Sequence, residues 1–245
     1  MKTKSVLTVF AHPDDETFRA GGTLALLAAQ GIRVHTLTAT HGEAGSRGTP
    51  PICSKDELPG VRAEELRCAC QALGLEPPII LSYPDGQISS IEPTKILSDI
   101  LETVDQVQPH SIISFSKDGL SGHPDHIAIG QYALQAFHKR KSVQAFYSLA
   151  VPQSIADALG MTQIRAVPDE CITHTIDITR VWEPKLQAIR CHQTQLNESP
   201  ILKADQPEQR LFLGKEHFRL LEIRPESSSQ QDGSSDLLTN LGKST

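Results

Sequence analysis

The chain has 245 residues, 38% of them hydrophobic and 21% charged, which suits one globular domain with a single sizeable core. Its net charge of -6 disfavours nucleic acid as a partner, and aromatics at 4% leave few rings for base stacking. No apolar run approaches the roughly 20 residues of a membrane span; the N-terminal apolar run is too short for a signal peptide and meets acids at once, so a cytoplasmic protein is expected.

Ser5 to Ala11 is a short apolar run of strand character. Thr17 to Gln30, rich in Leu and Ala and stopping at Gly31, predicts a helix. Residues 32–40 are β-branched and predict the second strand, and 41–60 are Gly- and Pro-rich, a loop long enough to carry function. A helix is expected over 61–74, closed by Gly74, then a third strand over 78–83. Pro93 opens a helix to Val107, residues 110–116 predict a fourth strand, and a further proline-opened helix runs from 123 to 140. This alternation predicts an α/β fold: a mostly parallel, doubly wound sheet with helices on both faces. Beyond residue 145 the pattern loosens, with strands expected at 143–150, 173–179 and 217–223 and a helix at 183–195. One domain over 1–224 is expected, followed by a Ser/Gln/Gly-rich, disordered tail over 225–245. The five cysteines are odd in number and form no C-x-x-C, so neither a disulfide framework nor a thiolate zinc site is expected.

Two stretches carry the chemistry. AHPDDE (11–16) follows the first strand, and SGHPDH (121–126) follows the fourth. In the strand order 3-2-1-4-5 these strands are neighbours, and ligands bind outside their carboxyl ends, so the two clusters meet in one crevice. His12 and Asp15, three apart, face the same way in a turn or first helical coil, and His126 adds a third ligand. Two histidines and a carboxylate with an open position form a catalytic zinc set, with iron(II) left open as the alternative. A cation there also offsets the repulsion among Asp14, Asp15 and Glu16. Asp14 would face the open position and take a proton from water. His123 would stabilise an oxyanion or protonate a leaving amine, and Asp125 would fix a histidine tautomer. Either cluster alone reads equally well as a helix cap, with acids favouring the helix dipole.

AHPDDETF followed by GGTLA, with SGHPDH further on, resembles the LmbE-like (PIG-L) family of zinc-dependent N-deacetylases. THGEAG (40–45), VRAEELRCACQALG (61–74) and KLQAIRCHQTQ (185–195) are similar to further family segments. The resemblance implies a Rossmann-like, three-layer αβα fold and hydrolysis of the N-acetyl group of an N-acetylglucosamine-type sugar or glycoconjugate. It implies His12, Asp15 and His126 as zinc ligands, Asp14 as general base, and His123 and Asp125 in support. Arg62 is then a substrate or phosphate contact, weighed against a surface ion pair with Glu64 or Glu65. Glu43 is a substrate contact or a solvated loop tip. Arg19 stands where relatives carry a small residue, and it narrows the pocket or binds an anionic substrate. His192 reads as a buried structural histidine and Asp85 as a turn residue. A small-molecule sugar is the expected partner, homo-oligomerisation is left open, and two rivals stand beside this reading. They are an amidase of sugar–thiol conjugates with the same metal centre and a non-catalytic carbohydrate-binding relative.

Overall fold

Seven strands form one sheet in the computed structural model, which describes residues 4–196, 200–225 and 236–239. They are β1 (Ser5–Phe10), β2 (Arg33–Thr40), β3 (Ile79–Tyr83), β4 (Ser111–Ser114), β5 (Ala145–Ala150), β6 (His174–Asp177) and β7 (Lys215–Ile223). Their spatial order is β3-β2-β1-β4-β5-β7-β6. β1 to β5 run parallel, while β7 is antiparallel to both β5 and β6. Every residue of β1, β4 and β5 is buried, as expected of central strands covered on both faces.

The helices fill the crossovers. α1 (Asp15–Phe18) and α2 (Gly21–Ala29) follow β1, α3 (Leu58–Leu73) follows β2, and α4 (Pro93–Val107) follows β3. α5 (Gly119–Gly122) and α6 (Pro124–Lys139) follow β4, and α7 (Gln153–Ala158) follows β5. Between β6 and β7 lie α8 (Trp182–Cys191), α9 (Gln193–Leu196), α10 (Pro200–Lys203) and α11 (Gln206–Leu213). The result is a three-layer α/β arrangement with a seven-stranded, mostly parallel sheet. Among the described residues no helix is long and apolar enough to cross a membrane.

Three differences from the sequence reading have physical causes. The helix expected over 17–30 is broken into α1 and α2. Glu216 on β7 accepts the N–H groups of Gly22 and Thr23 at 2.9 and 2.6 Å, so a new helix N-terminus begins there. Gly22 packs on Ile178, where a Cβ would come within 2.5 Å. The same carboxylate receives Lys185 Nζ at 2.7 Å, and both partners are fully buried. Second, the tail expected to be disordered includes Asp236–Thr239, which packs on the sheet: Leu237 and Leu238 are buried and Asp236 bonds Tyr147 and His174 at 2.7 and 2.9 Å. The apolar Leu–Leu pair gives this short segment something to bury; residues 226–235 and 240–245 lie outside the described residues.

Third, Cys68 on α3 and Cys191 at the end of α8 form a disulfide, with Cα atoms 5.7 Å apart. Of the other three cysteines, Cys70 is buried and Cys53 and Cys171 are half-buried. α3 and α8 pack through Ala69, Leu73 and Ala188, which brings the two thiols together. The link closes a loop of sequence separation 123, so chain entropy assigns it about 5 kcal/mol at most. A dithiol reductant should therefore lower the thermal midpoint of the wild type and leave the Cys68→Ser, Cys191→Ser double variant unmoved. Equal midpoints for the wild type with and without reductant would show that the link carries no stability.

Candidate metal centre

The candidate groups stand at the carboxyl ends of neighbouring strands. After β1 the chain turns sharply through 11–14 into α1. Thr40, ending β2, holds this turn: its hydroxyl donates to the Ala11 carbonyl at 3.0 Å and accepts the Gly42 N–H at 3.1 Å. After β4 the backbone passes through left-handed conformations at Gly119, Leu120 and Gly122. Leu120, at φ 62°, is a bulky residue in a region that costs about 1–3 kcal/mol, the kind of strain found at functional sites. This coil delivers His123 as the cap of α6, and His126 one turn later.

His12 Nε2 faces two carboxylates, Asp85 Oδ1 at 3.0 Å and Asp125 Oδ2 at 3.3 Å. The ring hydrogen of neutral His12 belongs there, which leaves Nδ1 with a bare lone pair. His126 Nδ1 donates to the Gly119 carbonyl at 3.2 Å, which leaves its Nε2 bare. These two bare nitrogens lie 3.2 Å apart. Asp15 joins them, with Oδ1 at 3.2 Å from His126 Nε2 and Oδ2 at 3.8 Å from His12 Nδ1. The N–H groups of Ala11 and His12 hold Asp15 Oδ2 at 3.1 and 2.9 Å. With both imidazoles neutral, as metal ligation requires, three acceptors converge with no hydrogen between them, an arrangement that repels itself unless a cation sits inside. Ligands of a tetrahedral cation bound at about 2.0–2.2 Å are spaced about 3.3–3.6 Å apart, so these residues fit a divalent metal.

Two other donor groups share His12. One is His12, His123 and His126, the other His12, Asp85 and Asp125, each with ligand atoms within 4.8 Å of one another. His123 is less suited, because its Nδ1 accepts the Asp125 N–H at 3.1 Å and its Nε2 then carries the hydrogen. Asp125 is fully buried, and its oxygens already accept the Gly86 and Ile88 N–H groups at 2.7 and 3.0 Å. The Nδ1 side of His12 is therefore the open one.

The electrostatics follow this geometry. Burial alone would lower His12, but Asp125, Asp85 and Asp15 outweigh it and raise the imidazole to about 10. Burial would likewise lower His126, and Asp15 outweighs it. Burial would raise Asp15, yet His126 and His12 hold it well below the usual carboxylate range. Asp14 behaves oppositely: burial, together with the charges of Asp15 and Glu16, pushes it up to about 6 against the pull of Arg62 and His192. Asp14 also has φ 111°, an unusual left-handed conformation for a residue with a side chain. Burial and then the neighbouring imidazoles push His123 down, so it is a neutral donor through Nε2.

The structure places the remaining sequence candidates in the frame around this centre. Arg62 is only 3% exposed. It donates to the Gly42 and Pro13 carbonyls and reaches Asp14 Oδ2 at 3.3 Å, so it underpins the Asp14 turn and forms no surface ion pair with Glu64 or Glu65. Gly42 and Gly45 admit it, since a Cβ at either would fall within 2.5 Å of its Nη1. Glu43 accepts the Asp85 N–H at 2.9 Å, and Asp85 accepts the Ala44 N–H at 2.9 Å, tying the loops after β2 and β3 together. Arg19 is buried, donates to the Phe212 and Ala150 carbonyls, and walls a cavity of about 600 Å³ with Phe18, Leu120 and Phe212. Its two terminal nitrogens are occupied by the fold, which leaves it to shape the cavity. His192 is buried on Glu16 at 2.7 Å, and Glu16 accepts the Asp14 N–H at 3.0 Å, so this pair holds Asp14 in its turn.

Sequence reasoning missed Asp85 and Glu16. The only signals were Asp85's position after the third strand and Glu16's place in the run of acids.

The family profile described as GlcNAc-PI de-N-acetylase (PIG-L) matches residues 7–137, which include every candidate ligand. A protein of Acidothermus cellulolyticus named 1D-myo-inositol 2-acetamido-2-deoxy-alpha-D-glucopyranoside deacetylase is 33% identical over 234 residues, spanning 79% of this chain and 80% of that one. A Bacillus cereus protein named "Probable N-acetyl-alpha-D-glucosaminyl L-malate deacetylase 2" is 30% identical over 196 residues, spanning 78% and 84%. In fold, the chain is similar to N,N'-diacetylchitobiose deacetylase from Pyrococcus horikoshii, with a TM-score of 0.65 at 22% identity over 90% of this chain and 84% of that one. With the profile covering more than half of its length and its paired histidine turns inside the match, the chain belongs to the PIG-L family of de-N-acetylases.

Proposed function

We propose that this protein is a metal-dependent hydrolase that removes the N-acetyl group from an N-acetylglucosamine-type sugar or glycoconjugate, working as one catalytic domain over residues 1–224 on a Rossmann-like frame. The observation that carries the reading is the convergence of His12 Nδ1, His126 Nε2 and Asp15 on one point, with Asp14 beside it. The names of the curated relatives, all deacetylases of N-acetylglucosamine conjugates, support the substrate class.

His12, Asp15 and His126 would hold the cation; zinc suits a set of two imidazoles and one carboxylate. When bound, such an ion supplies Lewis acidity, lowering the pKa of water and polarising an acyl carbonyl. Asp14, raised to about 6, accepts the proton of the attacking water near neutral pH and passes it towards the departing amine. Its carboxylate is steered by Arg62 from one side and by the Glu16–His192 pair through the backbone. His123, neutral and donating through Nε2, hydrogen-bonds the oxygen that gains charge as the acyl carbon becomes tetrahedral. Asp125 and Asp85 fix the tautomer of His12. The test is release of free amine from N-acetylglucosamine glycosides, with the purified protein assayed as isolated, after chelation and after zinc is restored. Amine release that is lost on chelation and regained with zinc is expected; no release in any arm overturns the reading.

A further inference from the structure

The group attached to the sugar is where relatives of one fold diverge, and one feature next to His123 bears on it. Gly122, with φ 78°, immediately precedes His123, and the guanidinium of Arg165 lies flat against it. A Cβ at Gly122 would fall 2.6 Å from Arg165 Nε and 2.7 Å from its Nη2, so a side chain there would displace the guanidinium from this position. The contact is anchored: the Arg165 N–H donates to the Leu120 carbonyl at 2.7 Å, stitching the loop after α7 to the turn that carries His123. His123 in turn stacks edge-on to His12, with ring centroids 4.9 Å apart. The charged end of Arg165 therefore sits one residue from the candidate centre.

Nothing in the fold explains a charge at that place. Arg165 is exposed, and among the described residues no carboxylate pairs with it. The nearest acid in sequence, Asp169, is engaged by the N–H and hydroxyl of Ser154, and Asp125, close to Gly122, is turned inward and accepts from the Gly86 and Ile88 N–H groups. Beside it, Leu120 and Ile164 line the cavity of about 600 Å³. The whole chain carries a net charge of -6, so its overall field repels an anion and a local cation is needed to admit one.

We propose that Arg165 is a specificity-determining residue that selects N-acetylglucosaminides whose anomeric substituent bears a carboxylate or phosphate. This rests on the deacetylase reading above. A guanidinium packed on Gly122 presents a planar fork of donors that matches the oxygens of such an anion.

The test compares the ethyl, carboxymethyl and phosphate glycosides of N-acetylglucosamine as substrates for the zinc-loaded protein. The wild type should favour the two anionic substrates over the ethyl glycoside in kcat/KM. Arg165→Gln should shrink that preference by about 10-fold, chiefly through KM, and Arg165→Lys should restore part of it. Raising ionic strength should erode the preference in the wild type and not in Arg165→Gln. A preference equal in the wild type and Arg165→Gln, or a wild type that favours the ethyl glycoside, overturns the proposal while leaving the deacetylase reading intact. Hydrolysis of none of the three sinks both. A loss of preference confined to one anion identifies which of the two the site is built for.

Discussion

Asp14→Asn is expected to lower kcat by about 10²–10⁴-fold, the range that a positioned general base contributes, while the protein keeps its bound metal. Asparagine suits the test because it tolerates the left-handed backbone that Asp14 adopts and keeps the side chain's shape. It removes only the ability to take a proton. The same residue sets the acid side of the pH profile. Base catalysis needs the ionised carboxylate, so kcat/KM should fall as pH drops through the Asp14 pKa and recover as it rises. Burial pushes that pKa up to about 6, and a neighbouring cation moves it down from there, so the acidic limb should lie at or below about 6. Metal analysis of the variant alongside single-turnover rates checks both parts. A near-native rate in Asp14→Asn would remove Asp14 from the chemistry.

His126→Ala should abolish metal retention and activity together. It deletes one of three converging acceptors and leaves His12 Nδ1 and Asp15 as an incomplete set. The loss of affinity should exceed the about 10–100-fold that removal of an outer partner costs. Asp85→Asn and Asp125→Asn supply that lower grade. Each weakens the hold on the Nε2 hydrogen of His12 without touching a ligand atom. Competition against a chromophoric chelator would order the series. If His126→Ala binds metal as tightly as Asp85→Asn, His126 is no ligand.

How far this centre was legible in the amino-acid order depends on the kind of contact. His12 and His126 could be brought together on paper because each follows a strand, and β1 and β4 are neighbours in the commonest doubly wound order. Elements of strong periodicity were placed within a few residues, as for α4 over 93–107. Contacts that depend on where a loop returns were not legible. Asp85 read as a turn residue because nothing local reveals that its carboxylate meets His12. Arg62 sits on a helix face that sequence periodicity cannot tell from a solvent face, and only the glycines at 42 and 45 let it pass beneath Asp14. Cys68 and Cys191 lie 123 residues apart, and an odd count of cysteines gives no pairing. The position of β7 between β5 and β6 was equally hidden, since antiparallel insertion leaves no mark in a short apolar run.

That inserted strand has a temporal consequence. Glu216 on β7 receives the start of α2 across a separation of 194 residues, and it neutralises Lys185 as well. During synthesis at about 5–20 residues per second, the amino-terminal portion waits roughly 10–40 s before this partner is made. Until then the nascent chain displays an unclosed sheet edge beside β5 and an uncapped α2. Arrest of translation before residue 215 should therefore yield a ribosome-bound species that is readily digested by protease, with resistance acquired only as the final strand emerges.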